Sequence, residues 1–123
     1  MTLECLPFEF TVCQIKNASD ADLTAPFTFF SRTDEELSLV CPTDCVPAQT
    51  ITREDQWRAF RIEGTLAFTM TGELAGVASA LAEDLIPIFA ISTYNTDYIL
   101  VKTEFFAKAK RSLYRCGYTV KEL

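Results

Sequence analysis

TMTGELAGVASALAEDLIPIFAISTYNTDYILVK, Thr69 to Lys102, is the stretch whose reading decides the fold. Leu74, Val77, Ala78, Leu81 and Leu85 fall at helical spacing and give one apolar stripe, so a helix is expected from Gly72 to about Leu85. Thr71 is the expected N-cap, and Glu73 lies in the first turn, where the helix dipole favours a negative charge. Two apolar strands follow, Ile86 to Thr93 and Asp97 to Val101, joined through the polar hairpin STYNTD.

Outward from this stretch, the chain continues the same alternation. Trp57 to Leu66 reads as a strand with Trp57, Ala59, Phe60 and Ile62 as its apolar set, and Gly64 as a bulge or close approach. Downstream, Thr103 is an expected N-cap, and Phe105, Phe106, Ala109 and Leu113 form the buried face of a helix reaching about Cys116. Gly117 supplies a left-handed C′ residue, and Tyr118 to Lys121 is a last strand. From Trp57 the order is β-α-β-β-α-β, the ferredoxin-like pattern.

Upstream, Leu3 to Ile15 alternates apolar and polar residues and reads as one strand, with Pro7 marking an edge or bulge. Lys16 to Ala25 is turn-rich, with room for one helical turn at most. Phe27 to Arg32 and Leu37 to Cys41 are strands, and Pro42 and Pro47 make the next segment irregular.

This first half resembles the second. FTFFSRTDEELSLVCP (Phe27 to Pro42) lies over IFAISTYNTDYILVKT (Ile88 to Thr103) at an offset of 61, and VCQIKN (Val12 to Asn17) lies over AFRIEG (Ala59 to Gly64) at 47. The two offsets differ by about one helix, so the first half reads as the same unit with its first helix reduced to a loop. The expected domains are residues 1–55 and 56–123.

Composition narrows the function. The chain has 123 residues, 49% of them hydrophobic, which is enough for a real core. A net charge of −6 argues against a nucleic-acid surface. Met1-Thr-Leu-Glu lacks the basic start of a signal peptide, and no apolar run is long enough to span a bilayer, so no membrane association and a cytoplasmic location are expected. Cys5, Cys13, Cys41, Cys45 and Cys116 are scattered and odd in number, which fits reduced thiols. There is no histidine, so Ser-His and Cys-His nucleophilic systems are excluded. The adjacent carboxylates Glu35 and Glu36, and Glu83 and Asp84, point apart and form no acid/base dyad. No catalytic residue, metal site or cofactor is expected, and the basic residues of the last helix read as a solvated face.

WRAFRIEG, TGELAGVASALAE and IFAISTYNTDYILV together resemble an ACT domain, the βαββαβ module that binds amino acids and similar effectors. The resemblance is to small bacterial proteins with two ACT-like halves, a branch similar to the CASTOR arginine sensors and to the regulatory halves of aspartate kinases. It implies an α+β fold: a ferredoxin-like C-terminal unit and a degenerate ACT-like N-terminal half, with antiparallel sheets and helices on one face. It also implies a ligand site at the first β-α turn, where Thr71, Gly72, Glu73 and Leu74 would hold a carboxylate on backbone N–H groups. Thr93, Tyr94 and Asp97 map onto the strand-end string that lies against the ligand in the sensor branch, with Asp97 taking an amino group. The expectation is a non-catalytic regulatory protein, a homodimer, that binds an amino acid and is read by a protein partner. The alternative is a ligand-free structural or dimerisation module.

Overall fold

The computed structural model describes residues 1–64, 67 and 72–123. The chain divides into two compact units, Met1–Pro7 with Arg58–Leu123, and Phe8–Trp57. This division differs from the expected one chiefly in its first seven residues. The single strand expected over Leu3 to Ile15 is two strands, β1 (Thr2–Cys5) and β2 (Phe10–Gln14), and they belong to different units. Pro7, which cannot donate a ladder hydrogen bond, lies in the break.

The Phe8–Trp57 unit contains β2, β3 (Phe29–Arg32), β4 (Leu37–Pro42) and the first part of β5 (Thr52–Ile62). β4 pairs antiparallel with β3 and β2, and β2 pairs antiparallel with β5. The unit has no α-helix: its helical segments are the short 3-10 turns Ala18–Asp20 and Thr43–Cys45. One cluster of its core is built on Cys13, Ile15, Leu39 and Cys41, with Phe30, Leu37, Cys45 and Val46 packed against it, and Phe10 and Val40 are buried as well. Burial pushes the Cys41 thiol up to about 12, so it is protonated at neutral pH.

The other unit holds α1 (Glu73–Glu83), β6 (Phe89–Ser92), β7 (Asp97–Lys102), α2 (Phe106–Arg115) and β8 (Thr119–Glu122), together with β1 and the end of β5. Its strand order is β6-β7-β5-β1-β8. Leu3 and Cys5, Phe60 and Ile62, Ile99 and Val101, and Val120 alternate along their strands and share one face. On that face pack Val77, Ala80 and Leu81 of α1 and Phe106, Ala109 and Leu113 of α2. Phe60 stacks on Phe106 with ring centroids 5.1 Å apart. Each such fully buried side chain contributes about 1.5–3 kcal/mol. The ferredoxin-like α+β expectation is met here, with one departure: β1 lies between β5 and β8 and pairs parallel with β8, so the sheet is not wholly antiparallel.

Both helices end in the same motif. At α2, Gly117 (φ 92°) donates to Tyr114 O and Tyr118 donates to Leu113 O, as expected of a Schellman cap. At α1 the left-handed residue is Leu85 (φ 58°), which donates to Ala82 O, while Ile86 donates to Leu81 O. Leu85 therefore lies beyond the helix and is 85% exposed, not the last member of the buried stripe. Ser112 donates to the Asp84 carboxylate and Arg115 Nη2 lies 2.9 Å from it, tying α2 to the end of α1. The hydrogen bond from Ser112, then that from Arg115, hold the Asp84 carboxyl below its usual range.

The repeat is present, with a different register. β3 and β6, β4 and β7, and the 3-10 turns Thr43–Cys45 and Thr103–Phe105 begin 60 residues apart (29 to 89, 37 to 97, 43 to 103), not 61. Phe29 opposes Val40 as Phe89 opposes Leu100, and Arg32 opposes Leu37 as Ser92 opposes Asp97. The offset of 47 for the first strands agrees with the packing, since Cys13 and Ile15 enter one core where Phe60 and Ile62 enter the other.

Candidate functional site

A cleft of about 300 Å³ opens between the start of α1 and the β6–β7 hairpin. Of the seven expected site residues, Gly72, Glu73, Leu74, Thr93, Tyr94 and Asp97 line it. Thr71 lies outside the described residues. The cleft is also lined by Ala67, Ala75, Ser92, Asn95 and Thr96, which sequence reasoning did not single out.

The helix side is built by backbone. Gly72 is the N-cap of α1, with φ 89° and ψ −8°. The expected cap, Thr71, is one residue too early. A left-handed N-cap favours glycine, because a Cβ there costs about 1–2 kcal/mol. Gly72 has no side chain to cap with, and its carbonyl takes the first intrahelical bond, from Gly76 N at 2.8 Å. The N–H groups of Glu73, Leu74 and Ala75 precede that bond and have no intrahelical acceptor. They form the positive end of the helix dipole. Glu73 is half-buried, and its Oε2 is enclosed with no hydrogen-bond partner among the described residues. Its charge joins burial and Cys116 in pushing the Tyr118 phenol up, burial being the largest cause.

The hairpin side is built by side chains. Thr93 N donates to Thr96 O at 2.8 Å, and the Thr93 hydroxyl donates to the same carbonyl at 3.1 Å. Thr96 is buried, and its hydroxyl donates to Ile62 O at 2.8 Å, which fixes the turn to the end of β5. Asp97 opens β7 opposite Ser92, whose hydroxyl donates to Asp97 Oδ1 at 2.5 Å. Tyr94, 77% exposed, stands at the rim. Ser92 and Thr96 carried a signal that could have been read: they belong to the same STYNTD string as Thr93 and Asp97.

The cleft thus sets the first-turn amides of α1, with the Glu73 carboxyl beside them, on one side and the Asp97 carboxyl on the other, and its described lining includes no basic side chain. Such a surface suits a molecule carrying an anionic group at one end and a cationic one at the other. No cluster of metal-ligating side chains occurs among the described residues, and all five cysteines are free.

Residues 52–115, just over half of the chain, match the ACT domain family. The chain belongs to the ACT domain family. These domains are regulatory modules, and the segment matched contains both sides of the cleft. No curated protein matches the chain. Among solved structures, a crystal structure of a protein from Agobacterium tumefaciens is similar to this ACT protein at a TM-score of 0.87 and 28% identity, covering 99% of this chain and 92% of that one. A Vibrio cholerae protein of unknown function, described as a possible transport protein, is similar at 0.71 and 21% identity, covering 90% and 85%. An aspartate kinase of Clostridium acetobutylicum, an allosteric enzyme, is similar in fold at 0.62 and 17% identity; 88% of this chain is covered but 33% of the kinase. Among the described residues no helix is long and apolar enough to cross a membrane.

Proposed function

We propose that this ACT protein is a non-catalytic sensor that binds an amino acid in the cleft between α1 and the β6–β7 hairpin. The observation that carries the reading is convergence: six residues from two separated sequence segments line one cleft, with the first-turn amides of α1 across from Asp97. The ligand's α-carboxylate accepts from the N–H groups of Glu73, Leu74 and Ala75. Its ammonium donates to Asp97. Thr93 and Tyr94 close the hairpin side. Each charge-assisted bond is worth about 1.5–3 kcal/mol at either end, and Asp97 is the end that a side-chain substitution can remove.

Regulation follows from linkage. The amino acid stabilises whichever assembly, a homodimer in this reading, presents the closed cleft, and a protein partner reads that state. No bond is made or broken.

The test is a thermal-shift panel of the twenty amino acids on the intact chain. An amino acid at 100 times its Kd should add about 2.7 kcal/mol, or several degrees. Asp97→Ala should weaken that response at least tenfold and leave the melting temperature of the free protein unchanged. A flat panel removes the amino-acid reading; an unaltered response in Asp97→Ala removes Asp97 from the site.

A further inference from the structure

The repeat separates what a hairpin needs from what a ligand needs. Thr33 and Thr93 occupy the same turn position. Thr33 N donates to Glu36 O at 3.0 Å, and its hydroxyl accepts from Glu35 N and Glu36 N at 3.1 and 3.2 Å. Thr93 N likewise donates to Thr96 O, and its hydroxyl accepts from Thr96 N at 3.4 Å. The turn chemistry is shared. One bond is not. Where Ser92 donates to Asp97, the first half has Arg32 opposite Leu37, a pair that cannot form it. The first hairpin closes in the same register without it, so the Ser92–Asp97 bond is not a requirement of the turn.

We propose that Ser92 is the positioning residue of the cleft. The inference rests on the amino-acid reading above and adds the group that makes Asp97 a selective end. A serine hydroxyl has one proton, and here it is committed to Asp97 Oδ1 at 2.5 Å. The bond fixes the carboxylate's rotamer, and it leaves both side chains presenting only acceptors to the cleft. The Ser92–Asp97 pair thus takes an ammonium with its several N–H donors and offers no donor of its own to a ligand that lacks one.

The experiment compares Ser92→Ala and Ser92→Thr in the intact chain. The probes are the L-amino acid giving the largest shift in the panel and its α-deaminated acid (propionate in the case of alanine), titrated by NMR. Ser92→Ala should weaken the amino acid about tenfold or more, leave the deaminated acid unchanged, and keep the free protein's melting temperature. Ser92→Thr, which restores the hydroxyl, should recover the affinity. Equal weakening of both probes, or no weakening of the amino acid, overturns the role of Ser92 while the amino-acid reading stands. A panel in which no amino acid binds overturns that reading and this inference with it.

Discussion

Residues 29–45 and 89–105 are the same hairpin and 3-10 turn written twice, with different neighbours. After the second comes α2, and ahead of it stands α1, whose uncapped start meets the hairpin and makes a cleft. In the Phe8–Trp57 unit the turn has no such helix end to face, because only the 3-10 turn Ala18–Asp20 separates β2 from β3. The strand scaffold alone therefore does not make this cleft; in the proposed reading, the binding end comes from the helix placed across from the hairpin.

The comparison can be broken first at the core. Cys13 and Phe60 are matching positions, but Phe60 is fully buried against Phe106 whereas Cys13 places a much smaller side chain in its cluster. Phe60→Ala should cost about 3–5 kcal/mol, and Cys13→Ala about 1 kcal/mol. Chemical denaturation of the two variants measures this, and equal losses would mean that the units are equally dependent on their cores.

A smaller effect is expected at the end of α1, the helix that the first half lacks. Leu85 is left-handed and its side chain is largely in water, so little packing offsets the strain. Leu85→Gly should stabilise by up to about 1 kcal/mol. A lower melting temperature would show that the leucine contributes more than its exposure indicates.

The smallest effect is electrostatic. The folded-state pKa of Asp84 lies below its unfolded value, so its contribution is present above the ordinary carboxylate range and is lost as pH falls through the folded value. Wild type should therefore melt above Asp84→Asn near neutral pH, and the gap should narrow on acidification below about pH 4. A gap that stays constant with pH would assign the effect to packing.

Most of the second unit was legible because its elements carry their own punctuation. Alternating strands, the Gly117 cap and the polar STYNTD turn each mark a boundary by residue chemistry. The register of the repeat was not legible from apolar matches, for a physical reason. Leu39, Val40 and Cys41 are all buried, and so are Ile99, Leu100 and Val101, so a slip by one residue still lays apolar on apolar. The identities Phe29 with Phe89, Thr33 with Thr93 and Thr43 with Thr103 favour 60, but Ser31, Leu39 and Val40 find identical residues at 61. The break at Pro7 was hidden because apolar residues run on through it, Leu6 before and Phe8 after, although Leu3 and Cys5 enter one unit and Phe10 and Cys13 the other. Leu85 misled because a leucine carries no sign that its backbone is left-handed. The cleft was legible in six residues through resemblance, and Gly72 as the cap was missed because threonine is the commoner one.

The parallel pairing of β1 with β8 gives the chain an unusual folding problem. Thr2 aligns with Thr119 and Cys5 with Glu122, so this sheet joins residues from nearly opposite ends of the sequence. Pairings of such separation come late, after most loop-closure entropy has been lost, and they slow folding. During synthesis β1 can take β5 as a neighbour on one side but must wait for the later β8 on the other. Until then its second edge stays open to any strand from another chain.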